Sequence, residues 1–273
     1  MPVRKNKILS SQEPKPFRLD NVKGTGSGVV ICDHASNRVP ASLKNLGLKK
    51  SDLARHIGWD IGAEDIGRHI ARKLNMPAVF ASYSRLVVDL NRAPLHRECV
   101  PEISDKVKIP ANTGLTKKAW NQRLQEIYWP YQNEVGKQVD RLVKTKQTPL
   151  LLAVHSYTPV MGDVRRPWHL SLLWNKEEKI AKRLIAEIRK NNPSLLVGEN
   201  EPYSLKGERF PDSTICRHAE ARGLPYLFIE FRQDLINTKE KAIVWGDIFL
   251  QALGPVLEDV AAIRNKKTMT RKR

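Results

Sequence analysis

Apolar and polar positions along the chain follow two periods. Residues 27–33, 78–81, 150–154, 170–174, 195–197 and 226–231 are short apolar runs rich in Val, Ile, Leu and Phe, bounded by turn residues, and they predict strands. Over 61–75 the apolar positions Ile66, Ile70 and Leu74 recur at helical spacing. Glu64, Arg68, Arg72 and Lys73 face the other way, as in a helix with one buried stripe. The same reasoning predicts helices near 50–56 and over 116–146, 176–190, 213–222 and 239–263. Pro130 should kink the second of these and Gly254-Pro255 should bend the last, while Gly223 stops the helix before it. Residues 83–90 read as one more strand. Residues 95–114 show no period and are broken by Pro101, Pro110 and Gly114; a connection of that length suits a lid.

Strands that alternate with helices predict an α/β fold: a single domain with a doubly wound, mostly parallel (mixed) central sheet and helices on both faces. The domain is expected over 26–263. Residues 1–25, polar and proline-containing, should form a flexible N-terminal arm, and 264–273 a basic C-terminal tail.

Composition narrows the class. The chain has 273 residues, 41% hydrophobic and 28% charged, as in a soluble globular protein. No apolar run approaches the roughly 18 residues that cross a bilayer, and the N-terminus lacks the apolar core of a signal peptide. Cys32, Cys99 and Cys216 are too few for a disulfide framework or a four-cysteine zinc site. A cytoplasmic protein with no membrane partner is expected. The net charge of +18 changes the picture more, because only six of the basic residues belong to 264–273 and the excess is spread along the chain. It suits an anionic small-molecule substrate or, as the other reading, nucleic acid. A basic proteome or a solvated tail is the plainer explanation of the charge, and aromatics beside basic residues are too sparse for a base-stacking platform. Oligomeric state is not legible.

Candidate chemistry gathers at strand ends. The first strand delivers Asp33, His34 and Asn37; the segment near 86–92 delivers Asp89, Asn91 and Arg92; the run at 150–154 leads to His155; the last strand carries Glu230 and Arg232. Ligands of open α/β sheets bind beyond the carboxyl ends of the strands. Two such histidines with carboxylates nearby fit a catalytic zinc site, with three protein ligands and one open position. A free carboxylate can then act as general base, and arginines can hold an anionic substrate. Taken singly, each histidine fits a hydrogen-bonded core residue as well.

A family resemblance adds to this. Cys32-Asp33-His34-Ala35-Ser36-Asn37-Arg38-Val39-Pro40, Trp59-Asp60-Ile61-Gly62, Ser84 to Arg92, His155-Ser156-Tyr157-Thr158-Pro159, Asn200-Glu201-Pro202-Tyr203 and Ile229 to Leu235 together resemble the N-formylglutamate amidohydrolase family, in its shorter, uncharacterised-homologue branch. The likeness spans about residues 28–236. It implies a zinc carboxypeptidase-like (phosphorylase/hydrolase-like) fold and hydrolysis of a linear amide C–N bond. The implied substrate is N-formyl-L-glutamate, cleaved to formate and glutamate, with a place in histidine degradation. By that likeness one Zn2+ would be held by His34, His155 and a third ligand, with Glu230 as the base. Carboxypeptidases place a glutamate three residues after the first histidine; this chain has Asn37 there. Asp60 is the preferred third ligand, with Asp33 and Asn37 as the other choices, and the plain role of Asp60 is to cap the helix after it. Arg85, Asn91, Arg92, Arg232 and Asn37 are the expected substrate-binding residues. The second reading is a basic nucleic-acid-binding or regulatory protein on a non-catalytic hydrolase scaffold.

Overall fold

The computed structural model describes residues 7–145, 148–206 and 213–270, with side chains as far as Glu258. Its centre is a seven-stranded sheet in the order β1-β3-β2-β6-β11-β9-β10, built from β1 (Phe17–Asp20), β2 (Gly28–Cys32), β3 (Ala78–Ala81), β6 (Leu150–Tyr157), β9 (Leu170–Leu173), β10 (Val197–Glu199) and β11 (Tyr226–Arg232). The four middle strands β3, β2, β6 and β11 run parallel. At one margin β1 is antiparallel to β3, and at the other β9 is antiparallel to β11 while β10 follows β9 in parallel. The sheet is therefore mixed, with a parallel heart.

Strand alternation sorts the side chains into two cores. Val29, Ile31, Leu151, Ala153, Tyr226 and Phe228 pack on one face. They meet α3 (Lys117–Arg123), α4 (Trp129–Lys144) and the short α6 (Thr214–His218) there. Val30, Cys32, Leu152, Val154, Leu227 and Ile229 pack on the other face. That side is covered by α2 (Ala63–Lys73), α5 (Glu178–Asn191) and α7 (Lys239–Thr270). The residual helix α1 (Lys50–Leu53) is a single turn of the expected 50–56 element. Among the described residues no helix is long and apolar enough to cross a membrane.

Several expectations are corrected. Phe17–Asp20 lies in the supposed arm, yet it pairs with β3. Arg18 pairs with Glu64, and Asp20 with Arg68, each at 2.7 Å, which fastens this edge strand onto α2. Residues 83–90 are not a strand. Their backbone carbonyls are met by side chains instead of a neighbouring strand: Asn112 Nδ2 donates to Leu86 O (2.9 Å), Arg123 Nη1 to Val87 O (2.9 Å) and Gln132 Nε2 to Leu90 O (2.7 Å). Buried coil satisfied in this way needs no sheet partner. The long helix is interrupted by a π turn, Leu124–Tyr128, immediately ahead of Pro130, a local irregularity of the kind that accommodates a proline inside a continuous helix. Residues 95–114 hold a small hairpin, β4 (Ile103–Ser104) and β5 (Val107–Lys108), with 3-10 turns on either side. A second hairpin, β7 (Val160–Met161) and β8 (Val164–Arg165), follows β6. The backbone of α7 continues through Thr270, past the expected start of the tail; residues 271–273 lie outside the described residues.

Candidate metal and catalytic site

Because β2, β6 and β11 are parallel neighbours, their carboxyl ends open on one edge of the sheet. His155 follows Leu151 and Ala153 on one face of β6, and Glu230 follows Tyr226 and Phe228 on the same face of β11. The register sets Glu230 directly beside His155. The His155 ring stacks on Phe228, with 4.6 Å between ring centres and 8° between planes, and the His34 ring meets it edge-on at 4.9 Å. Both imidazoles are buried.

Asp60 joins them from a separate loop. Its backbone N–H donates to His34 O (2.9 Å), and Ser84 Oγ donates to Gly58 O (2.7 Å), which fixes that loop against the end of β2 and the 83–90 coil. The helix cap falls to Gly62, at φ 80, with no side-chain cap, so the Asp60 carboxylate is free of the capping role. It turns inward. Asp60 Oδ2 lies 2.8 Å from His155 Nδ1 and 3.3 Å from His34 Nδ1. The ligand atoms offered by His34, Asp60 and His155 lie within 4.8 Å of one another, so one ion could be held by all three.

Each imidazole is backed at its other nitrogen. His34 Nε2 meets Asp89 Oδ1 at 2.8 Å. Asp89 in turn accepts from Arg85 Nη2 (2.7 Å) and the Asn91 backbone N–H (2.9 Å). His155 Nε2 lies 3.3 Å from Asp33 Oδ2, a close approach of opposite charge rather than a directed hydrogen bond, since neither atom has a hydrogen-bond partner. Asp33 Oδ1 accepts from Thr214 Oγ1 at 2.8 Å. Metal-bound histidines are held by carboxylates on the far side of the ring, and this donor set has that form. Two imidazoles and a carboxylate also suit zinc.

The charges follow from these contacts. Burial works against ionisation of Asp60, but His34 and His155 outweigh it and hold the carboxyl far below the carboxylate range. For Asp89 burial is likewise overcome, chiefly by Arg85 and then His34. Burial alone would lower His155; its contacts with Asp33 and Asp60 push it up to about 10. Glu230 goes the other way from the aspartates. Burial raises it to about 7, only partly opposed by the charge of His155, and its Oε2 has no hydrogen-bond partner among the described residues.

His34, Asp60, Asp89, His155 and Glu230 line a pocket of about 250 Å3 together with Arg85, Asn91, Arg92 and Tyr203. Its outer wall includes Glu98, Pro101 and the hairpin residues Ile103, Ser104 and Asp105, so the supposed lid segment forms part of the cavity. Two expected residues are not brought in. Asn37 is half-buried and outside the lining. Arg232 shares the face of Glu230 but stands two residues further along the strand; it pairs with Asp234 at 2.9 Å and also lies outside the lining. Sequence reasoning gave Asp89 no role and passed over Thr214 and Arg166. Its strand-end position and its i,i+4 spacing from Arg85 were the available signals for Asp89; Thr214 had none.

The model of one protein family, N-formylglutamate amidohydrolase, matches residues 27–237. Comparison with curated protein sequences gives no match. Among solved structures, a gene product of Agrobacterium tumefaciens is 26% identical, with a TM-score of 0.87, over 93% of this chain and all of that one (100%). The N-formylglutamate amidohydrolase of Ralstonia eutropha JMP134 is 18% identical with a TM-score of 0.66 over 90% of this chain and 98% of its own, a likeness of fold. The matched model and the buried cluster define a metal-dependent hydrolase of linear amide C–N bonds. Within that class, the chain belongs to the N-formylglutamate amidohydrolase family.

Proposed function

We propose that the protein is a zinc-dependent amidohydrolase that cleaves the C–N bond of an N-acyl amino acid, with N-formyl-L-glutamate as substrate and formate and glutamate as products. The observation that carries this reading is a buried, unpaired carboxyl, Glu230, beside the His34, Asp60 and His155 cluster. Those three residues would hold the ion, which supplies Lewis acidity at the scissile carbonyl when bound. Glu230 takes a proton from the attacking water and returns it to the leaving nitrogen; a carboxyl raised to about 7 is matched to both transfers near neutral pH. Arg85, Asn91 and Arg92 orient the substrate carboxylate at the pocket wall. Asp89 and Asp33 keep the two imidazoles in position.

Metal analysis of the purified protein, paired with an N-formyl-L-glutamate hydrolysis assay, tests the reading. His155→Ala should lose the metal. Glu230→Gln should keep it and lose about 10²–10⁴ in rate, as expected for removal of a general base. In the parent enzyme kcat/KM should fall about tenfold per pH unit below about 7, where Glu230 becomes protonated, and the variant should lack that limb. A metal-free protein whose activity survives both changes sinks the mechanism. Salt-sensitive DNA binding without metal would favour the nucleic-acid reading instead.

A further inference from the structure

Two of the three arginines close to the pocket are matched by carboxylates. Arg85 lies 2.7 Å from Asp89 and 3.6 Å from Asp60, and Arg92 lies 3.3 Å from Glu98. Arg166 is different. It leaves the β7–β8 hairpin with its backbone N–H on Pro159 O (2.9 Å) and is 7% exposed. No carboxylate among the described residues pairs with it, and its Nη1 is buried without a hydrogen-bond partner. Arg166 is not itself among the lining residues, but its guanidinium lies 4.8 Å from the ring centre of Tyr203 and 6.0 Å from that of Tyr157, and both rings line the pocket. Its charge also reaches Glu230 and His56, two further lining residues.

A buried guanidinium without a counter-charge is costly. Aromatic faces steady it, but they leave its in-plane N–H donors free. A planar two-oxygen acceptor satisfies that fork. We propose that Arg166 binds a second carboxylate of the substrate, the one on the amino-acid side chain, and so makes the site selective for N-acyl dicarboxylic amino acids. This rests on the amidohydrolase reading, in which Asn91 and the arginines beside it hold the first carboxylate. Arg166 is then the specificity residue, remote from the amide that breaks.

The test uses the full chain with its metal and two substrates of similar shape, N-formyl-L-glutamate and N-formyl-L-glutamine, on the parent enzyme, Arg166→Gln and Arg166→Lys. Glutarate binding, measured by calorimetry, gives a readout that needs no turnover. Arg166→Gln should raise KM for the glutamate compound by about 10–100-fold, the range for a lost hydrogen bond to a charged group, with kcat and the glutamine compound within about threefold. Glutarate affinity should fall by a similar factor, and Arg166→Lys should recover part of both. Equal losses on the two substrates would mark a structural role and overturn the proposal, as would no loss at all. If the parent enzyme hydrolyses neither substrate, the amidohydrolase reading fails, and glutarate decides this inference: unchanged affinity in Arg166→Gln sinks it, selective loss upholds it. Should Arg166→Gln fail to fold, Arg166→Lys is judged by the same ratio, with a smaller loss confined to the dicarboxylates.

Discussion

Asp60 Oδ2 stands between two imidazole nitrogens, and each imidazole leans on another aspartate. The outermost member on the His155 side is Thr214, whose hydroxyl donates to Asp33. Thr214→Val keeps the shape and removes that donor. Zinc affinity, measured by competition with a chelating dye, should fall about 10–100-fold, as is usual for partners behind a ligand, while the fold is retained. Unchanged affinity would place Asp33 outside the ligand support. The histidines and Glu230 were legible as strand-end groups because sheet topology has a rule for where ligands bind. Asp60 was legible only through the family motif, since locally it looked like a helix cap. Arg232 shows the limit of alternation: the period gives the face, but not how far along the strand the pocket extends.

Gly62 governs how the Asp60 loop enters α2. It holds φ 80, and a Cβ there would come within 2.0 Å of Ile236 O. Gly62→Ala therefore combines left-handed strain with a backbone clash. It should lower unfolding free energy by about 3 kcal/mol in denaturant titration and weaken metal binding as Asp60 shifts. An alanine variant as stable as the parent would show that the loop yields freely. Helix α2 itself was readable from its stripe, because periodicity reports a buried face directly. The 83–90 coil was not. Its Leu-Val-Val run is buried as a strand would be, but its hydrogen bonds come from Asn112, Arg123 and Gln132, residues 26 or more positions from the carbonyls they meet. No local pattern encodes partners of that kind.

For the molecule as a whole, the net charge of +18 bears on encounter more than on folding. If the substrate is anionic, kcat/KM should fall as ionic strength rises from 10 to 200 mM, through KM rather than kcat, and deletion of 264–273 should soften that slope without changing the metal content. A slope that stays flat would assign the charge to another partner. The overall architecture was legible because strand and helix patterns alternate along the chain. The antiparallel margins were not, because β1 and β9 carry no residue that distinguishes direction. Finally, the chemistry and the mouth of the pocket come from different parts of the fold. The proposed ligands and base sit on sheet ends and a loop locked to them, while the β4–β5 hairpin forms part of the wall and the β7–β8 hairpin leads into Arg166. Each hairpin also carries an exposed apolar residue, Ile103 at 65% and Val164 at 67%, although the β4–β5 turn is tied through Asp105 to Arg55 at 2.7 Å. Substitutions at such exposed positions cost little stability. Substrate preference is thus free to drift during evolution while the hydrolytic centre stays fixed.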